Sequence, residues 1–260
     1  MRNVLTTTLA TIFLGVMPMS THAETRTAFD DLLATRSSAM VPRVSTTMLL
    51  AQPENAALRE LLTTPPANPR QFAGKRIAVV TSDGVEEIEL TATLRYFRER
   101  GAAVEILSPA MPHFPDRFGV QVPAIRATHI LTIRYMENAG WVKFDRLVTD
   151  AKADEYDAVV IPGGAWNPDT LRADPAVLDF VRQAAGNGGV IASLCHGPWV
   201  LADADLLSGR RATAWGAMRR DIERAGATYV DEPVVIDGNI VTSRGPVDLA
   251  DFLTAIGKKL

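Results

Sequence analysis

Cys195 is the only cysteine among 260 residues, and its neighbours are those of a reactive thiol. The apolar run Val190-Ile191-Ala192-Ser193-Leu194 leads straight into it, and His196-Gly197-Pro198 follows. A strand, a nucleophile, a small residue two places on and then a helix is the pattern of a nucleophile elbow. The tight turn lifts the side chain off the sheet. Gly197 leaves room for the helix to pack, and Pro198 suits a first helical turn, where no amide hydrogen bond is needed. Because a helix N-terminus stabilises anions, the thiol is expected to ionise below its free value of about 8.5. A single cysteine also rules out an intramolecular disulfide.

A thiol nucleophile needs a proton partner. On a helix starting near Glu86, the face through Leu90, Leu94 and Phe97 is apolar and begins with Glu86 itself. Glu87 heads a polar face with Thr91, Arg95 and Arg98. This spacing selects Glu86 over Glu87 and Glu89 as the buried carboxyl, its pKa raised by desolvation. His196 adjoins the cysteine in sequence, and neighbours on a tight turn need not point the same way. The amides of Gly164 and His196 are candidates for an oxyanion hole. The four histidines are His22, His113, His129 and His196. None follows His196, so the late histidine that a glutamine amidotransferase pairs with such a cysteine is missing. No pair of histidines or cysteines has metal-ligand spacing, and neither a metal nor a cofactor is expected.

The elements that must position these residues alternate. Apolar strands are expected at Arg76–Thr81, Val104–Leu107, Ala158–Ile161 and Val190–Leu194. Helices are expected from Glu86 to Arg100, Pro175 to Ala185, from Pro198 onward, and Pro246 to Lys259. Strands near 211–214, 234–236 and 240–242 complete the pattern. Strands buried on both faces, alternating with helices, define an α/β domain with a mostly parallel, doubly wound, flavodoxin-like sheet. Such sheets bind ligands at the carboxyl ends of their strands. Asp83–Glu86, Pro162–Gly164 and Cys195–Gly197 all fall there. Residues 109–153 read as a loop-rich insertion carrying Tyr135 and Trp141, a lid or an interface.

A net charge of −3 with scattered basic residues gives no reason to expect nucleic acid. Arg2, the apolar stretch Val4–Met19 and Thr21-His22-Ala23 resemble an export signal cleaved near Ala23. The expectation is a periplasmic or secreted protein with no membrane association after cleavage. Residues 24–74 form an extension ending in the proline-rich linker Thr64-Pro65-Pro66-Ala67-Asn68-Pro69, and the domain occupies 75–260.

At its motifs the chain resembles the ThiJ/PfpI superfamily, in particular the PfpI-like branch, whose fold is of the class I glutamine-amidotransferase type. The resemblance rests on Asp83-Gly84-Val85-Glu86-Glu87-Ile88-Glu89-Leu90, Val160-Ile161-Pro162-Gly163-Gly164 and Ala192-Ser193-Leu194-Cys195-His196-Gly197-Pro198. It extends to Leu206–Thr213 and Val235–Arg244. It implies Cys195 as nucleophile, Glu86 as the acid touching it and His196 as the dyad histidine. That branch is described as completing its site with a glutamate from a neighbouring subunit. Here one extra residue precedes an aspartate, so Asp169 is the candidate interface acid. The resemblance implies a homo-oligomer and three functions: a cofactor-independent glyoxalase or deglycase acting on small reactive carbonyls, a cysteine peptidase or amidohydrolase, or a redox-sensing stress chaperone. The first is the leading expectation.

Overall fold

The computed structural model describes residues 50–110 and 123–260. The export signal, the first part of the extension and residues 111–122 of the insertion lie outside the described residues. Strands are β1 (Arg76–Val80), β2 (Val85–Glu86), β3 (Ala103–Ser108), β4 (His129–Arg134), β5 (Glu137–Lys143), β6 (Arg146–Leu147), β7 (Ala158–Ile161), β8 (Val190–Leu194), β9 (Arg211–Ala212), β10 (Thr228–Tyr229), β11 (Val234–Asp237) and β12 (Ile240–Ser243). The α-helices are α1 (Ala56–Thr63), α2 (Glu87–Arg98), α3 (Asn167–Arg172), α4 (Pro175–Gly186), α5 (Pro198–Asp203), α6 (Arg219–Arg224) and α7 (Leu249–Lys259).

The main sheet has the order β11-β12-β8-β7-β1-β3-β6. Every neighbouring pair is parallel except β11 with β12. The chain winds outward from β1 in both directions, to β3 on one side and β7 on the other, so the topological switch lies between β1 and β7. Ligand crevices form at such a point. The strands alternate as a two-sided sheet requires. Ile77, Val79, Ala158, Val160, Ala192 and Leu194 enter one core cluster with α1, α2 and α7. Ala78, Val80, Val159, Ile161 and Ile191 enter the other, with α4, α5 and α6.

Two segments differ from expectation. Part of the extension is core: Leu58 and Leu62 of α1, with Phe72, are buried against Tyr96, Phe97 and Ile256. Each such side chain contributes roughly 1.5–3 kcal/mol on burial. The insertion read as loop-rich contains a β4–β5 hairpin, and β2 pairs in parallel with β4 through Val85↔Thr132 and Glu86↔Ile133. Its turn, Tyr135-Met136, lacks the Asn-Gly type of signal that marks hairpins in a sequence. A register shift between Thr132 and Ile133 further breaks the alternation.

Candidate active site

Cys195 follows β8 with φ 57°, a left-handed conformation rare for a residue with a Cβ. Such a residue is strained by roughly 1–3 kcal/mol and persists only where its surroundings enforce it. Here Cys195 N donates to Ser243 O at 3.1 Å, and its carbonyl accepts from Trp215 N at 2.9 Å. Two glycines permit the close packing. A Cβ on Gly163 would lie 2.6 Å from the Cys195 Cβ, and one on Gly197 would lie 2.5 Å from Ile161 O. The elbow expected from the sequence is present.

The carboxyl beside the thiol belongs to Glu89, which corrects the assignment of Glu86. Val85 and Glu86 stay extended because they pair with Thr132 and Ile133. Glu86 is therefore the residue before the helix, with ψ 118°, and the helix begins at Glu87. Periodicity counted from Glu86 does not apply to it. Glu89, Thr93 and Phe97 follow one another at four-residue steps on the helix and are fully buried. Glu89 Oε2 accepts the Gly163 N–H at 2.6 Å, which sets its carboxyl beside the Cys195 thiol, where each group shifts the other's ionisation. Burial raises Glu89 to about 8; the nearby Glu86 charge adds to the shift, while the Gly163 N–H and the thiol oppose it.

The thiol departs from expectation in the same direction. Burial pushes Cys195 well above its ordinary range, and the negative form of Glu89 pushes it further. The backbone N–H groups of Gly164 and His196 beside the sulfur favour the thiolate and pull the other way. Desolvation in a nearly closed site outweighs the pull of those amides and of a helix only six residues long. Two buried acids in contact cannot both ionise readily, so the pair behaves as one unit that gives up one proton and retains the other.

His196 does point at the cysteine: its Nδ1 lies 3.2 Å from Sγ. Burial lowers its pKa, so it is neutral at pH 7. Its ring stacks on Trp215 with centroids 5.9 Å apart and lies 5.5 Å from Trp199. Glu86 lines the same cavity, where it accepts the Tyr135 N–H at 2.9 Å. Burial raises its pKa, and that hydrogen bond partly reverses the shift. Asp169 is exposed and does not line the cavity. Among the described residues no three His, Cys, Asp or Glu side chains cluster as metal ligands would.

Sequence reasoning missed several residues that shape the site. Buried Asn167 accepts from Ser82 N at 2.6 Å and donates to Pro162 O and Gly163 O, stitching the ends of β1 and β7 together. Arg134 forms an ion pair with Glu87 beside the cavity. Trp199, Trp215 and Met136 supply much of the remaining wall. A polar Asn167 between strand end and helix was the one signal available from sequence.

A doubly wound sheet with a cysteine elbow at the end of the strand next to its switch point, and a protonatable carboxyl beside the thiol, defines an α/β protein with a built thiol site. The chain belongs to the DJ-1/PfpI family, whose profile matches residues 75–259. It is 36% identical over 178 residues to YraA of Bacillus subtilis, named as a candidate cysteine protease, covering 68% of this chain and 94% of that one. It is 31% identical over 185 residues to Deglycase TK1284 of Thermococcus kodakarensis, covering 71% and 99%. Among solved structures it resembles a two-domain protein of Anabaena variabilis with DJ-1/ThiJ/PfpI-like and ferritin-like domains, at 36% identity and TM-score 0.61. That match covers 71% of this chain but only 49% of the two-domain protein. Drosophila melanogaster DJ-1beta matches at 26% identity and TM-score 0.60, covering 72% and 90%.

Proposed function

We propose that the protein is a cysteine-dependent enzyme that converts small reactive α-oxo aldehydes and water into α-hydroxy acids without a cofactor. One observation carries this reading: a thiol and a protonatable buried carboxyl side by side, both lining a cavity of 540 Å³. The relative named as a deglycase supports it.

The active form is the Glu89–Cys195 pair with one proton removed. The sulfur adds to the aldehyde carbon, a C–S bond forms, and the carbonyl electron pair moves to oxygen. Glu89 delivers the retained proton to that oxygen, giving a hemithioacetal. The amides of Gly164 and His196 stabilise charge developing there. Neutral His196 removes the proton on the thiol-bearing carbon and returns it to the neighbouring carbon. The hydroxyl proton of the first carbon passes to the second oxygen, leaving a thioester of an α-hydroxy acid. Water attacks the thioester, one of its protons returns to Glu89, the C–S bond breaks and the thiolate leaves, restoring the Glu89–Cys195 pair with its single proton. The balance is one aldehyde and one water in, one hydroxy acid out.

Purified protein given methylglyoxal without glutathione should form lactate, and Cys195→Ser should form none. Cleavage of a peptide panel in place of lactate formation would replace this reading with cysteine peptidase chemistry. We carry two expectations with the proposal. Light scattering should find a dimer or larger assembly at micromolar concentration, and fractionation of cells making the full chain should find it outside the cytoplasm.

A further inference from the structure

The cavity above Cys195 is much larger than methylglyoxal needs. Its 540 Å³ lies within the roughly 300–1,000 Å³ range of pockets that enclose drug-sized ligands. Beyond the reacting groups, its lining is largely apolar: Ile88 of α2, Met136 at the hairpin tip, Trp199 of α5, Trp215, and Pro246 and Val247 ahead of α7. Trp215 stacks on the His196 ring with an interplanar angle of 26°, so a flat apolar surface lies beside the imidazole that works on the bound carbon. A methyl substituent leaves most of this surface to water, which finds few partners there. An apolar group large enough to displace that water gains the hydrophobic contact. The charged lining gives no welcome to an anionic substituent. Arg134 is the cation among the lining residues, and it is ion-paired with Glu87 while Glu86 stands nearby.

Resting on the carbonyl chemistry above, we propose that the preferred substrates are α-oxo aldehydes whose second carbonyl carries a bulky, uncharged apolar group, aromatic above all. Met136 and Val247 select for that group. Both line the cavity from elements remote in sequence, and both are exposed in the chain without ligand, where an apolar substituent would cover them. Methionine, unbranched and polarizable, suits contact with an aromatic ring edge.

Phenylglyoxal and methylglyoxal are the probes, compared as kcat/KM on the purified full chain. Phenylglyoxal should be preferred by about tenfold or more, the scale on which apolar groups are discriminated. In Met136→Ser and Val247→Ser the phenylglyoxal-to-methylglyoxal ratio should fall by about fivefold or more. Turnover of methylglyoxal as fast as phenylglyoxal overturns the inference and leaves the carbonyl reading standing. A preference that survives in both variants overturns the role given to Met136 and Val247. Turnover of neither aldehyde overturns the carbonyl reading and this inference together.

Discussion

Cys195 and Glu89 meet at one point, but the stretches that deliver them are built on opposite plans. The elbow is enforced from within the main sheet. Its left-handed residue is flanked by Leu194 and His196, bonded to Ser243 at the end of β12 and crowded by Gly163 after β7, with Trp215 N donating to its carbonyl. The β2–α2 junction is held from outside. Gly84 N donates to Leu131 O, Leu131 N donates to Asp83 Oδ1 at 2.8 Å, β2 pairs with β4, and Glu86 and Glu87 bind Tyr135 and Arg134. Nearly every partner lies on a hairpin more than forty residues away. The nucleophile is placed mainly by neighbouring strand ends of the main sheet, whereas its acid is placed by an accessory hairpin outside that sheet.

The sharpest way to break that comparison is to detach the hairpin. Arg126, just before β4, is almost completely buried and pairs with Asp83, with further donors to Ser82 Oγ and His129 O. Asp83→Asn keeps an acceptor for Leu131 N but leaves the guanidinium charge buried and uncompensated. Arg126 is buried while Asp83 is 35% exposed, so losing the carboxylate should cost about 2–3 kcal/mol, below the ~3–5 kcal/mol of a fully buried pair. Urea unfolding should show a loss of that size. The exposed Arg219–Glu223 pair is the contrast, and Arg219→Ala should leave the urea midpoint nearly unchanged. Equal small losses in both variants would mean that the hairpin is not the scaffold of the acid.

Glu89→Gln tests the acid itself. The amide retains an acceptor for Gly163 N but cannot move a proton, so turnover should fall by about a hundredfold or more. In the parent protein activity should rise with pH through about 8, as the Glu89–Cys195 pair loses its first proton. That limb should vanish in the variant. Stability should move oppositely. Between the ordinary carboxylate value of 4.5 and about 8, the folded state holds a proton on Glu89 that the unfolded state has released. Stability therefore falls as pH rises through this window, by up to about 1.4 kcal/mol per unit for one proton. Glu89→Gln removes the loss and should be more stable at pH 8 by an amount on the order of a few kcal/mol. An inactive variant with an unchanged stability profile would leave Glu89 a packing residue.

The same contrast explains what the sequence could disclose. The elbow was legible because its determinants, from Val190 to Pro198, are contiguous. The parallel sheet was legible because two-sided burial leaves continuous apolar runs. Glu89 was not legible. Three glutamates stand within four residues, and choosing among them requires knowing that pairing with β4 delays the helix until Glu87. The hairpin that causes the delay has no turn signature, and Gly140 and Asn138 in β5 read as loop. The thiol pKa was misjudged for a related reason. The amides that favour a thiolate are local, but the burial that opposes it depends on how α2 and the Pro162–Gly164 turn close over the sulfur.

The smallest effect separates the two carboxyls most finely. Glu86→Gln keeps an oxygen that can accept the Tyr135 N–H, so the hairpin tip should stay in place. A neutral hydrogen bond that persists in altered form changes matters by no more than about 1 kcal/mol, and turnover should fall by less than about fivefold. The charge does matter at a distance. Negative Glu86 is one of the causes that hold Glu89 up, so its removal should let Glu89 ionise at lower pH. The rising limb of the pH–rate profile should then move to the acid side in Glu86→Gln, with its plateau nearly unchanged. Glu86→Ala, which also removes the acceptor, should instead raise KM through a loosened Tyr135–Met136 turn. A hundredfold loss in Glu86→Gln, with Glu89→Gln mild, would return the proton-transfer role to Glu86 and show that the junction rearranges when substrate binds.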